Sequence, residues 1–252
     1  MFFFNKKHTI AASGILQGAV DHHSHILPGV DDGVETMDEA LRILAAYEVL
    51  GIKELWLTPH IMEDIPNSAE KLATRFDELK AAYSGNIQLH LAAEYMIDNH
   101  LRKLLQDCHS EPQGGISTPK ENNLLPIGTS GKHILVETSY YNSPMRMDET
   151  LQQIKSLGYF PLLAHPERYM YLDNADYLKL HSQGVKFQLN LASLAGGYGA
   201  AVKKKALWLL TNGFYSVAGS DLHSEDAIEI ITKCELREKV VEQVEKLLHD
   251  SI

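Results

Sequence analysis

Ala19-Val20-Asp21-His22-His23-Ser24-His25, Thr36-Met37-Asp38-Glu39 and Glu54-Leu55-Trp56-Leu57-Thr58-Pro59-His60 follow one another near the start of the chain. The first and third are short apolar-rich runs, which predicts strands over 19–25 and 54–60. Between them Thr36 and Glu39 form a capping box, and Leu41, Leu44, Ala45 and Val49 lie on one stripe that stops at Gly51. Strand, crossover helix and strand together predict a parallel pair, because antiparallel neighbours need only a tight turn.

The same unit recurs outward. Strands are expected over 87–94, 133–139, 160–166, 186–192 and 215–221, which makes seven with the first two. A second crossover helix starts near Asn67 or Ser68 and runs through Leu72, Phe76 and Leu79 to Gly85. Later helices over 147–157, 173–183 and 200–212 are ended by Gly158, Gly184 and Gly213, where glycine supplies a left-handed cap. The alternation predicts an α/β protein. One domain over 19–252, closed into a seven-stranded barrel, is the economical reading, and an open doubly wound sheet is the alternative. Residues 1–18 read as an N-terminal extension whose Met1-Phe2-Phe3-Phe4 is a packed arm. Residues 108–132, with Pro112, Gly114-Gly115, Pro119 and Pro126, read as a long surface loop.

Composition narrows the function. The 252 residues suffice for a barrel as one unit. A formal charge of -10 argues against tracking nucleic-acid backbones, which needs a basic face. Two cysteines, Cys108 and Cys234, exclude a disulfide-stapled secreted scaffold and make a reducing compartment the default. Asn5, Lys6, Lys7 and His8 interrupt the initial apolar run before it reaches signal-peptide length, and no stretch approaches the roughly 20 apolar residues of a membrane span. The expectation is a soluble cytoplasmic protein with no membrane insertion and no nucleic-acid partner.

Six of the seven expected strands end in metal-ligand residue types. His23 and His25 are two apart, so on a strand both imidazoles point to one side, whereas His22 points away. The other strand ends carry His60, Glu94, Glu137, His165, and Asp221 with His223. Such groups, placed after apolar runs such as Leu162-Leu163-Ala164, are costly to bury unpaired, and a shared metal site relieves that cost. Barrel folds place catalytic groups at the carboxyl ends of their strands. Asp31-Asp32-Gly33 adds a carboxylate, although by itself it reads as a turn.

Taken together, Asp21 to Gly33, Thr58-Pro59-His60, Glu94, Leu135-Val136-Glu137-Thr138-Ser139, Leu163 to Tyr169 and Gly219 to His223 resemble the polymerase and histidinol phosphatase superfamily. Within it they resemble the bacterial manganese-dependent protein-tyrosine phosphatases encoded with capsule or exopolysaccharide genes. The matches lie in the family's order across about 200 residues. The resemblance implies a distorted seven-stranded α/β barrel with three divalent ions, manganese first, with iron, cobalt or zinc acceptable to the same ligands. It implies one ion held by His23, His25, Glu94 and Asp221, and a second by Glu94, Glu137 and His165. Asp32, His60 and His223 would take the third. Arg168 matches a phosphate-binding arginine, whereas Ser224-Glu225-Asp226-Ala227 stand where the family often has another.

The implied substrate is phosphotyrosine on a protein, such as the tail of a membrane tyrosine autokinase. A metal-bound hydroxide would attack phosphorus in line, with no side-chain nucleophile, while Arg168 clamps the phosphoryl group. Four carboxylates and three divalent ions leave a net of about +2, which attracts phosphate although the whole chain repels it. A cysteine mechanism is contradicted, because the residues six after Cys108 and Cys234 are Gly114 and Val240 rather than arginine. No Gly-x-x-x-x-Gly-Lys loop is present for nucleotide hydrolysis. Histidinol phosphate or another small monoester is the alternative substrate, and a non-enzymatic metal-binding module is the alternative role. Amidohydrolase barrels also begin with His-x-His, but commonly carry a modified lysine where Glu137 stands.

Overall fold

The computed structural model describes residues 6–109 and 123–252. In chain order its strands are β1 (Lys7–Thr9), β2 (Val20–Ser24), β3 (Glu54–Leu57), β4 (His60–Ile61), β5 (Gln88–Leu91), β6 (Glu94–Met96), β7 (His133–Glu137), β8 (Phe160–Ala164), β9 (Lys186–Asn190), β10 (Tyr215–Gly219) and β11 (Glu235–Arg237). The helices are α1 (Ile10–Ser13), α2 (Met37–Leu50), α3 (Ala69–Ala82), α4 (Asn99–His109), α5 (Met147–Ser156), α6 (Asn174–Ser182), α7 (Leu191–Ala195), α8 (Ala200–Thr211), α9 (Asp226–Thr232) and α10 (Glu238–His249). This is an α/β fold. All its strand pairs run parallel except β1 with β11, which pair antiparallel.

Every one of the seven expected runs carries a strand, but the hydrogen-bonded ladder is not one ring. A six-stranded sheet has the order β10-β9-β8-β7-β6-β4 and a three-stranded sheet the order β2-β3-β5. The second and third runs each contribute to both sheets. The chain leaves one sheet at Thr58-Pro59 and again at Ala92-Ala93, and enters the other at His60 and Glu94. Pro59 has no N–H to give a ladder, so its carbonyl alone pairs, accepting from the Glu94 N–H at 3.1 Å. At the opposite flank β2 and β10 are tied beyond their ends. There the Asp221 N–H donates to His23 O and the His25 N–H to Leu222 O, both at 2.9 Å.

Helix ends follow the sequence signals. Thr36 accepts from the Glu39 N–H to start α2, and Ser68 from the Lys71 N–H to start α3. Gly51 closes α2 in the left-handed conformation. Asp173 and Asp176 make a capping box for α6. Helix α4 takes the stretch before the expected loop, with Cys108 inside it, and residues 110–122 of that loop lie outside the described residues, as does the Phe2-Phe3-Phe4 cluster. The extension is joined to the body through β1.

Period-two alternation gives the sheets two buried faces. Trp56, Leu135, Leu162, Ala164 and Val217 pack into an inner cluster with Ala92, Ile127 and Ile252. Their strand neighbours Leu55, Leu57, Ile134, Val136, Leu163 and Ala218 belong to the larger cluster that includes the helix residues. Leu135 is fully buried. Leu135→Ala is expected to lower unfolding stability by about 2–5 kcal/mol, measured by urea denaturation. A loss under about 1 kcal/mol would show that the inner cluster is loosely packed.

Candidate metal centre

The residues that follow the strands' apolar runs come together at one end of the sheets. Glu94 begins β6, Glu137 ends β7, His60 begins β4, and His25, His165, Asp221 and His223 stand just beyond β2, β8 and β10. His23, His25, Glu94, Glu137, His165 and Asp221 are all buried. His23 Nε2 and His25 Nε2 lie 2.9 Å apart, 3.2 and 3.3 Å from Glu94 Oε2, and both 3.4 Å from Asp221 Oδ1. His60 Nδ1 stands 3.2 Å from both Glu94 Oε2 and Glu137 Oε1. Asp32 Oδ1, on a loop and largely exposed, is 3.4 Å from His60 Nε2 and 3.6 Å from His223 Nε2.

Three overlapping groups result: His23, His25, Glu94 and Asp221; His60, Glu94 and Glu137; and His25, Asp32, His60 and His223. Eight of the nine residues singled out from the sequence fall in these groups, with His165 beside them, but the sets are shared differently. His60 stands with Glu137, and His25 reaches two groups. His165 Nε2 touches Glu94 Oε1 at 3.1 Å and is 4.0 Å from Glu137 Oε2.

Local backbone aims these side chains. The register between β2 and β3 shifts between Asp21 and Ser24, so a β-bulge falls on His22 and His23. His22 is buried apart from the groups, and burial holds its imidazole down at about 4. His165 and Asp221 adopt left-handed φ values of 32° and 53°, which non-glycine residues hold at a cost of about 1–3 kcal/mol. Gly219 lets β10 press against β2, since a Cβ there would lie 2.5 Å from both His23 Cβ and Gln188 Nε2.

Four supporting residues escaped the sequence reading. Gln188 Oε1 faces His23 Nδ1 at 2.8 Å, and Asp31 Oδ2 faces His25 Nδ1 at 2.8 Å. Asp31 also accepts from the Gly33 N–H, so the expected turn is present and does further work. Asn190 Nδ2 donates to Asp221 Oδ2 at 2.8 Å. Asp21 accepts from the backbone of His23 and Ser220 and from the Tyr47 hydroxyl. The readable signal for two of them was that Gln188 and Asn190 share a face of β9 with Lys186, alternating with Phe187 and Leu189.

Arg168 lies at the edge of the centre and donates from Nη1 to Asp221 Oδ2 at 2.7 Å. Its guanidinium carbon is 4.3 Å from the Tyr140 ring centroid and 4.1 Å from that of Tyr198. It does not pair with Glu167, whose carboxylate is buried and accepts from the Asn190 N–H and the Tyr215 hydroxyl. Burial raises the Glu167 pKa.

The donor set suits a cation. With Nδ1 of His23 and His25 turned to the acceptors on Gln188 and Asp31, each neutral ring directs its Nε2 lone pair at carboxylate oxygens and at the other ring. Electron pairs facing electron pairs require a positive species among them. Without a metal, protons fill that role. Burial opposes charge on His23, but Glu94 and Asp221 outweigh it and raise its pKa, and His25 is raised further by Asp221, Asp31 and Glu94. Burial likewise disfavours the two carboxylates, yet the imidazoles around them hold Glu94 and Asp221 well below the usual range. Glu94 Oε2, Glu137 Oε1 and the Nδ1 atoms of His60 and His165 are buried without a hydrogen-bond partner.

The sequence profile of the capsular polysaccharide synthesis, CpsB/CapC family matches residues 19–246, most of the chain. The chain belongs to the CpsB/CapC family. CapC of Staphylococcus aureus is 26% identical over 81% of this chain and 77% of its own length. For the tyrosine-protein phosphatase YwqE of Bacillus subtilis the identity is 25%, over 92% of each chain. CpsB of Streptococcus pneumoniae, also named a tyrosine-protein phosphatase, is 27% identical over 82% of this chain and 84% of its own. A crystal structure from a study of YwqE and CpsB, described there as metal-dependent tyrosine phosphatases, superimposes with a TM-score of 0.72 at 22% identity. It covers 92% of this chain and 95% of that one, so the two share a fold. Among the described residues of this CpsB/CapC chain no helix is long and apolar enough to cross a membrane.

Gly219→Ala is expected to lower unfolding stability by about 1–3 kcal/mol, because the added methyl overpacks His23 and Gln188. Urea denaturation reads this, and an unchanged midpoint would show that the β2–β10 contact yields freely.

Proposed function

We propose that the chain is a metal-dependent protein-tyrosine phosphatase that hydrolyses phosphotyrosine, on the tail of a capsule or exopolysaccharide tyrosine autokinase, in the cytoplasm. The observation that carries this reading is the convergence of eight imidazoles and carboxylates, with His165 against Glu94, beside Arg168 in a chain of the CpsB/CapC family. Residues 19–252 act as one domain with residues 1–18 as an extension, and the seven strand runs work as a distorted barrel parted where its two sheets meet. Three divalent ions, manganese first, fit the ligands. His23, His25, Glu94 and Asp221 would hold one, Glu94 and Glu137 with His165 a second, and Asp32, His60 and His223 a third. When bound, such ions supply Lewis-acid charge that activates water and neutralises phosphoryl oxygens.

The chain's own groups supply the rest. Asp221 is divided, with Oδ1 facing the imidazoles and Oδ2 tied to Arg168 and Asn190, so the arginine is held next to the centre. The Arg168 fork can donate two parallel hydrogen bonds to a phosphoryl group. Gln188 and Asp31 fix the ring orientation of His23 and His25, as outer partners of metal-binding histidines do. A phenol has a pKa of about 10, so a tyrosine leaving group makes little demand for a general acid. Neither cysteine stands in the centre, and burial pushes both thiols up, away from nucleophilic thiolate.

Release of phosphate from a phosphotyrosine peptide with and without manganese tests the reading, and inactivity in every divalent metal would sink it. Arg168→Ala is expected to lower kcat about 10²–10³-fold with metal content retained, and His60→Ala to lose metal. Retention of full turnover by Arg168→Ala would remove it from the site. Metal uptake has a defined pH sign. The raised His23 and His25 must lose protons to become ligands, so affinity rises as pH rises through their pKa values and falls below them. Calorimetric titration with manganese in two buffers of different ionisation enthalpy should show proton release, and buffer-independent heats would contradict it.

A further inference from the structure

Arginine on an aromatic-recognising site ordinarily offers the faces of its guanidinium for stacking. Here two rings already lie against the guanidinium, Tyr140 and Tyr198, with centroids 4.3 and 4.1 Å from its carbon. One of its N–H groups already meets Asp221. An aromatic ring attached to a phosphate held by the remaining N–H groups is therefore brought beside these tyrosine rings.

The two tyrosines differ in what they leave open. Tyr140 is partly buried, its backbone carbonyl accepts from the Met170 N–H at 2.7 Å, and its ring stacks with Tyr169. Tyr198 is 39% exposed. It is the only side chain larger than hydrogen among Gly196-Gly197-Tyr198-Gly199, between α7 and α8. Its hydroxyl is nevertheless tied to the centre, because Asn190 Nδ2 lies 3.3 Å from it and 2.8 Å from Asp221 Oδ2.

We propose that Tyr198 is a specificity-determining residue whose exposed ring packs against the aromatic ring of the substrate, so that the site favours aryl over alkyl phosphomonoesters. The proposal rests on the phosphatase reading above for its substrate, but on the contacts of Tyr140 and Tyr198 with Arg168 for its geometry. Aromatic pairing of this kind changes affinity about three- to tenfold.

The test uses the manganese-loaded full chain and two non-hydrolysable probes, phenylphosphonate and methylphosphonate, with binding read by calorimetry. Tyr198→Leu should weaken phenylphosphonate about three- to tenfold and leave methylphosphonate within about twofold, while Tyr198→Phe binds both like the parent. In kinetics on a phosphotyrosine peptide, the leucine variant should raise KM more than it lowers kcat. Equal weakening of both probes would reduce Tyr198 to a support for Arg168 and overturn the proposal, as would no change in either. A parent that selects phenylphosphonate through Tyr198 yet releases no phosphate from any peptide would overturn the phosphatase reading and leave the aromatic selection standing.

Discussion

Ionisable groups taken out of water must find opposite charge within a few ångströms or give up their own, and Glu94, Asp221, His23 and His25 are taken out of water almost completely. None of the four has a lysine for a partner, and Arg168 reaches only one oxygen of Asp221. The groups therefore answer one another, carboxylate to imidazole, and leave a shared region where positive charge is favoured. The bulge in β2, the left-handed backbone at His165 and Asp221 and the close approach at Gly219 all serve to bring strand ends into that region.

Arg168 shows how tightly the second rank of contacts is drawn. Asp221 Oδ2 receives both Arg168 and Asn190, Asn190 also reaches Tyr198, and Glu167 accepts from the backbone of Asn190. The turn Pro166–Arg168 is thus fixed from β9 and β10 as well as from its own strand. A charged side chain at an open edge gains a defined plane in this way, which a bidentate contact to an anion requires.

Much of this was legible in the sequence because the signal was compositional contrast. Apolar runs ending in His60, Glu137 or His165 stand out in any reading of strand ends, and Thr36 with Glu39 marks a helix start by local chemistry alone. What stayed hidden depends on contacts between distant segments. Gln188 and Asn190 show only their shared face until β9 is paired with β10, which sets them against His23 and Asp221. The division of the wall into two sheets was hidden because Thr58-Pro59 and Ala92-Ala93 look like the ends of single strands. Asp31 looked like a turn residue, which it is, and only the fold reveals its second bond to His25. Helices α4 and α10 were passed over, although Leu101 and Leu105, and Val244, Leu247 and Leu248, are buried at helical spacing.

The tie between β2 and β10 has a consequence in time. The Ser220 hydroxyl donates to the carbonyl of His23, a partner 197 positions away in sequence. Closing so long a loop is entropically slow compared with forming the local strand–helix–strand units. During synthesis, the early histidines emerge well before the aspartate that completes their surroundings. The centre is consequently completed late, because its early imidazoles lack Asp221 and His223 until those residues have been made.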